Sequence, residues 1–204
     1  MTLRKWLFAE CYDRLNGIVE KHVIPHRWET AGRCFGDVLE IGAGTGANLP
    51  YLSSVSSVTL CEPDRYMRKK LTTRLASEPQ AFRILNSSGE GIALPDESFD
   101  SVLTTLTLCM VNDVDEVLRQ IYRLLRPGGK FFFYEHVLSK HPFPVTCQNL
   151  FNPIWKWSTT GCNLNRDLRG SIESLPFSGI NLKEFTFYIG PMLKLPNIIG
   201  YATK

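Results

Sequence analysis

The chain has 204 residues, 44% of them apolar and 21% charged, with a formal net charge of +3. That length accommodates one domain with a full core, and so mild a charge, with its basic residues scattered, disfavours a polynucleotide partner. No uninterrupted apolar run approaches the roughly 20 residues that span a bilayer, and Glu10 and Asp13 interrupt the N-terminus before a secretory core can form, so a cytoplasmic protein without a transmembrane segment is expected.

Along the chain, Phe8, Tyr12, Leu15, Val19 and Val23 recur at helical steps and predict an amphipathic helix ended by Pro25. Five apolar runs follow, each of strand length: DVLEI (37–41), SVTLCE (57–62), AFRILN (81–86), DSVLTTLTL (100–108) and KFFFYEHV (130–137). Helical patterns separate several of them. One carries Met67, Leu71 and Leu75; another carries Val114, Val117, Leu118, Ile121 and Leu125, with Asp113 as its N-cap, Glu116 three residues on and Pro127-Gly128-Gly129 to stop it. Residues 138–176 break the rhythm and read as a cover, and 181–188 and 197–203 read as two closing strands. Near-continuous apolar strands alternating with helices predict an α/β fold, a doubly wound sheet with helices on both faces. The six cysteines, Cys11, Cys34, Cys61, Cys109, Cys147 and Cys162, form no CxxC pair and no tight Cys/His spacing, which argues against a zinc site or a disulfide framework and for a reduced compartment.

Directly after the first strand, EIGAGTGANLP places Gly42, Gly44 and Gly46 on alternate positions, and Glu62 ends the second strand. In open α/β sheets ligands bind at the carboxyl ends of strands, beside the first strand. The spacing departs from the G-x-G-x-x-G of a dinucleotide site, because the third glycine comes one residue early, and Pro50 shortens the following helix. It suits a cofactor with no pyrophosphate but with a ribose and an amino-acid tail, such as S-adenosylmethionine. Glycines let the backbone approach tail and sugar, and the Glu62 carboxylate can accept from both ribose hydroxyls. Glu40 would orient the loop or reach the cofactor's ammonium.

Together, VLEIGAGTG, CEPD, SSGEGIALPDESFDSV and LLRPGGKFFF, in that order over roughly residues 36–137, resemble the successive motifs of class I S-adenosylmethionine-dependent methyltransferases. The resemblance implies a Rossmann-like, mostly parallel seven-stranded sheet with the last strand antiparallel. It also implies that the loop from Gly42 through Ala43, Gly44 and Gly46 to Asn48 lines the methionine and ribose. By the same resemblance Glu62 holds the ribose, and Pro63 and Met67 pack near the adenine. Ser88, Gly89 and Glu90 meet the adenine edge, and Thr105 and Leu106 lie near the methionine portion. Many relatives carry Asp at the position of Ser88. A narrower likeness, through TLTLCMV, FFFYEHV and QNLFNPIWKWSTTGCNLNRD to LPNIIGYATK, is similar to the thiol S-methyltransferase group. Its animal members begin with a hydrophobic anchor that these residues do not show. The chain then reads as one methyltransferase domain over 1–204, with the N-terminal helix (1–30) and 138–176 as a substrate cap.

The acceptor implied is a small molecule, most simply an apolar thiol; N- or O-methylation of a lipid-like or quinone-like compound, and a non-catalytic cofactor-binding module, are the alternatives. In-line displacement on a sulfonium needs alignment, no metal, and base help only for a protonated nucleophile. His136 is the candidate base, Glu135 an alternative, and Arg166 a candidate partner for a thiolate; structural hydrogen bonding is the competing role for each. Strand alternation allows only one of Glu135 and His136 to face the acceptor. Tyr12 either closes over the cofactor or joins Phe8 and Leu15 in the core. Phe151, Ile154, Trp155 and Trp157 read as core or pocket wall, with peripheral membrane contact left open. Nothing in the sequence sets the oligomeric state.

Overall fold

Twelve helices and strands, in a computed structural model that describes residues 2–78, 80–189 and 193–204, follow the chain as α1 (Thr2–Glu29), β1 (Asp37–Ile41), β2 (Ser57–Cys61), α2 (Arg65–Leu75), β3 (Phe82–Leu85), β4 (Phe99–Thr105), α3 (Val114–Leu124), β5 (Leu125–His136), α4 (Pro142–Ser158), α5 (Leu168–Glu173), β6 (Gly179–Ile189) and β7 (Leu193–Thr203). Among the described residues seven strands form one sheet in the order β3-β2-β1-β4-β5-β7-β6. β1 to β5 pair in parallel, and β7 runs antiparallel to both β5 and β6.

Alternation along the strands builds a core on each face. Val38, Leu60, Leu103 and Phe132 pack with Leu71 of α2 on one face, while Leu39, Val102, Phe131 and Phe133 pack with Val117, Leu118 and Ile121 of α3 on the other. Each such fully buried side chain stabilises the fold by about 1.5–3 kcal/mol. Asp113 caps α3 by accepting from the Glu116 N–H at 2.9 Å. The reciprocal bond is absent: Glu116 turns forward to Arg119 and Gln120, and the Asp113 N–H lies 3.4 Å from Glu90 Oε1.

Some boundaries differ from the sequence reading for identifiable reasons. α1 passes through Pro25 to Glu29, the ring removing one backbone donor without ending the helix. The side chains of Leu15 and Val19 lie outside the described residues. β4 ends at Thr105, before LTL, because Leu106 takes a positive φ of 54°. β5 begins five residues before KFFFYEHV, at Leu125, and β6 and β7 are longer than the runs that announced them. The 138–176 segment contains α4 and α5. On α4, Phe151, Ile154 and Trp157 face solvent rather than a core, joined by Leu150, while Gln148 on the opposite side bonds to the Val137 and Leu164 carbonyls. That polar anchor fixes which side of α4 turns inward, and the aromatic stripe is left outside.

Candidate active site

The carboxyl ends of β1, β2 and β4 lie side by side, with Ile41 opposite Cys61 and Thr104. Beyond them opens a cavity of about 380 Å³. The glycine loop forms one wall: Gly42 and Ala43 donate to the Cys61 carbonyl at 2.8 and 3.1 Å, so the chain turns back over β2. Gly44 and Gly46 have φ of 57° and 85°, a region L side chains avoid. A Cβ on Gly46 would come within 2.7 Å of Leu49, whereas one on Gly44 would meet nothing within 4 Å, and Gly44 lines the cavity. The backbone at Gly44 is therefore bare toward open space, as a cradle for a ligand requires.

Glu62, 6% exposed, stands at the cavity edge. Its Oε2 accepts from Gly44 N–H at 2.8 Å and its Oε1 from Asp64 N–H at 2.7 Å, which aims the carboxylate and leaves lone pairs on both oxygens. Burial raises its pKa, and the two backbone bonds pull the other way. Pro63, Met67, Ser88, Gly89 and Glu90 continue the wall. Glu90 Oε1 is already used, accepting from Asn112 N–H at 2.8 Å, so this carboxylate ties the loop after β3 to the start of α3.

Glu40, Ala43, Gly46 and Asn48 do not line the cavity; they support its floor. Asn48 donates to Glu40 Oε1 at 2.8 Å and to Thr105 Oγ1 at 3.0 Å, and receives Arg27 of α1 at 2.7 Å. Burial pushes Glu40 up to about 7, and its Oε2 has no hydrogen-bond partner among the described residues.

The opposite wall comes from Thr105, Leu106, Thr107, Met110, Val111 and Asn112. Two of the three candidate catalytic residues hold this loop from behind. Glu135, fully buried, accepts from the N–H groups of Thr107 and Leu108 at 3.0 and 3.1 Å. Arg166 donates to the carbonyls of Leu108 and Val111 at 2.6 and 2.5 Å. Burial, outweighing those two hydrogen bonds, pushes Glu135 up to about 7. His136 contacts Cys162 Sγ through Nε2 at 2.8 Å, and Cys162 also receives the Trp155 indole N–H at 3.2 Å and lies 3.5 Å from Cys109 Sγ. None of Glu135, His136 and Arg166 lines the cavity, so the expectation that one of the strand-end pair faces the acceptor space is not met. Alternation does separate the two, but onto two buried networks.

Tyr12 does line the cavity, with Lys5 and Phe8 on the same face of α1. α1 is tied down by Lys5–Asp64 at 3.3 Å and by Thr45 donating to Asp13 at 2.7 Å. Lys5 escaped the sequence reading and Phe8 was read only as part of the core face of the helix, although the spacing of both from Tyr12 is helical. Met110, Val111 and Asn112, just beyond the run read as a strand to Leu108, were not assigned to the site, and neither was Thr160.

Residues 39–133 match the family described as a methyltransferase domain. The human thiol S-methyltransferase TMT1A is 34% identical over 171 residues, covering 82% of this chain and 70% of that protein. Human thiol S-methyltransferase TMT1B is 36% identical over 175 residues, with the same coverage. The crystal structure of an S-adenosylmethionine-dependent methyltransferase from Thermotoga maritima superposes with a TM-score of 0.72, at 20% identity and full coverage of both chains. Its fold is the fold described above. With the bare Gly44 backbone, the aimed Glu62 carboxylate and these relatives in agreement, the chain belongs to the S-adenosylmethionine-dependent methyltransferases, in the group of the thiol S-methyltransferases.

Proposed function

We propose that this enzyme transfers the methyl group of S-adenosylmethionine to the sulfur of a small apolar thiol, leaving S-adenosylhomocysteine. The observation that carries the reading is the wall beyond the glycine loop: Phe8, Ile41, Leu106, Met110 and Val111 offer an apolar surface, in a chain whose relatives are named thiol S-methyltransferases. When bound, the cofactor supplies an activated methyl group on a positively charged sulfur. Glu62 would hold the ribose hydroxyls, the bare backbone at Gly44 would admit the sugar and tail, and Glu40, beneath the loop, would orient it through Asn48. Ser88, Gly89, Pro63 and Met67 form the adenine slot. Tyr12 closes the entrance from α1, and α1 with the 138–176 segment acts as the cap of a single domain.

Among the described residues the titratable side chains at the cavity are Lys5, Tyr12, Glu62, Asp64 and Glu90, with no histidine. Lys5 is paired with Asp64, and burial raises Tyr12 while Arg27 opposes it. The acceptor therefore enters as its own thiolate, whose ordinary pKa is about 8.5. Glu135 and Arg166 position the wall rather than move a proton. We place the enzyme in the cytoplasm, since all six cysteines are unpaired. No helix among the described residues is long and apolar enough to cross a membrane, and the exposed stripe of Leu150, Phe151, Ile154 and Trp157 supports peripheral contact with one.

A panel of small thiols, amines, phenols and phospholipids, assayed by mass spectrometry for methylated product, tests the acceptor. S-methyl products from the apolar thiols are expected. Turnover of an amine, phenol or phospholipid with no thiol product would refute the reading.

A further inference from the structure

The mechanism above leaves one buried cluster unused. Cys109 comes from the loop after β4, His136 from the end of β5 and Cys162 from the turn between α4 and α5, and their Sγ, Nε2 and Sγ atoms all lie within 4.8 Å of one another. We propose that these three side chains form a binding site for a thiophilic divalent cation of the zinc type, with a fourth position left to a water or a thiolate from outside the chain. The inference concerns metal content and does not rest on the acceptor proposed above.

Distances come first. With metal–sulfur bonds of about 2.3 Å and metal–nitrogen bonds of about 2.0 Å, a tetrahedral ion holds its ligand atoms roughly 3.5–3.8 Å apart. Cys162 and Cys109 are separated by 3.5 Å, and His136 and Cys162 by 2.8 Å. The first separation is already tetrahedral, the second needs to open by less than an ångström, and the third, between His136 and Cys109, lies within 4.8 Å.

The chemistry of the donors points the same way. All three side chains are buried, two of them thiols and one an imidazole whose Nδ1 has no hydrogen-bond partner among the described residues. Two thiolates, a neutral imidazole and a divalent ion sum to zero, and the Trp155 N–H bond to Cys162 becomes the outer contact that such ligands ordinarily receive.

Backbone strain is concentrated where the thiols are delivered. Thr160 has φ 61° and Gly161 φ 141° immediately before Cys162, and Leu106 has φ 54° three residues before Cys109. A β-branched residue in that region is uncommon, and such strain persists where a site over-determines it. The cluster also joins the elements that carry Met110 and Thr160, both at the cavity. A bound ion would clamp α4 and the loop after β4 to the sheet.

The test uses the full chain, purified under a thiol reductant after growth with added zinc. Mass spectrometry should find near one zinc ion per chain, retained in Cys34→Ser and lost in Cys109→Ser and Cys162→Ser. Cobalt(II) added to metal-stripped wild-type chain should give the thiolate-to-cobalt charge-transfer band and the visible bands of a tetrahedral site. A wild-type chain with reduced thiols, no zinc and no such cobalt bands overturns the proposal. That outcome is read without any variant, so misfolding of a substituted chain cannot produce it, and it stands whether or not thiols are methylated.

Discussion

In the proposed function Glu62 carries two opposed demands, since it is buried at 6% exposure yet has to accept from the cofactor's sugar. The Gly44 and Asp64 N–H groups reconcile them by stabilising the carboxylate and fixing its aim. Each hydrogen bond it makes to the ribose is worth about 1.5–3 kcal/mol, so Glu62→Ala should weaken S-adenosylhomocysteine binding by roughly 10- to 150-fold per bond lost. Calorimetry returning wild-type affinity would remove Glu62 from the site. Glu135 makes a prediction about pH. Its carboxyl is pushed up to about 7 by burial, as is that of Glu40, whereas an unfolded Glu titrates near 4.3. A raised acid keeps its proton in the folded state longer, so its stabilisation is complete below the unfolded value and is lost as pH rises through about 7. Urea unfolding of the cofactor-free protein should therefore show Glu135→Gln gaining on the wild type from pH 5 to pH 8. Identical pH slopes for the two would contradict that assignment. Glu135→Ala should instead destabilise at both pH values by about 1–3 kcal/mol for each of the two N–H groups left without an acceptor.

At the scale of elements, the loop from Leu106 to Asn112 matters most, because it supplies a wall without being a strand or a helix. It stays in place through bonds at both its edges: Leu106 N–H to the Tyr134 carbonyl at 2.8 Å, Glu135 on its N–H groups and Arg166 on its carbonyls. Arg166→Met removes two charged donors worth about 1.5–3 kcal/mol each. Efficiency toward the acceptor should fall by about tenfold or more, with faster hydrogen exchange at 107–111 and partial recovery in Arg166→Lys. Unchanged exchange in Arg166→Met would show that the loop holds itself. This wall was the part of the site least legible in sequence. DSVLTTLTL alternates and branches like a strand throughout, and nothing local announces that Leu106 turns to φ 54°. The glycine loop, by contrast, was legible because its constraint is local: only glycine takes φ 57° and 85° cheaply, and the backbone at Gly44 faces open space.

For the whole molecule, the cavity joins α1, the glycine loop, the β4 loop and the turn at Thr160, so a ligand there binds the folded state alone. At 100 times its dissociation constant, S-adenosylhomocysteine should add about 2.7 kcal/mol of stability, or roughly 5–10 °C in melting temperature for a chain of this size. Glu62→Ala at the same ligand concentration should lose most of that rise, and a full shift in this variant would place the ligand elsewhere.

The sequence alone determined the α/β architecture, the order of its seven strands and first three helices along the chain, the glycine turn after β1 and the acid at the end of β2. Apolar periodicity, turn residues and φ requirements are properties of neighbours in the chain, and they survive without a structure. Tertiary structure decided what depends on pairs far apart in sequence. It set Glu135 behind the wall instead of in the pocket, turned α4's aromatic stripe outward by anchoring Gln148, and brought Cys109, His136 and Cys162 together across more than fifty residues. Cysteine spacing argued against a metal site because a ligand set contributed by three separate elements has no spacing to read; only the meeting of the β4 and β5 ends with the α4–α5 turn makes it a set.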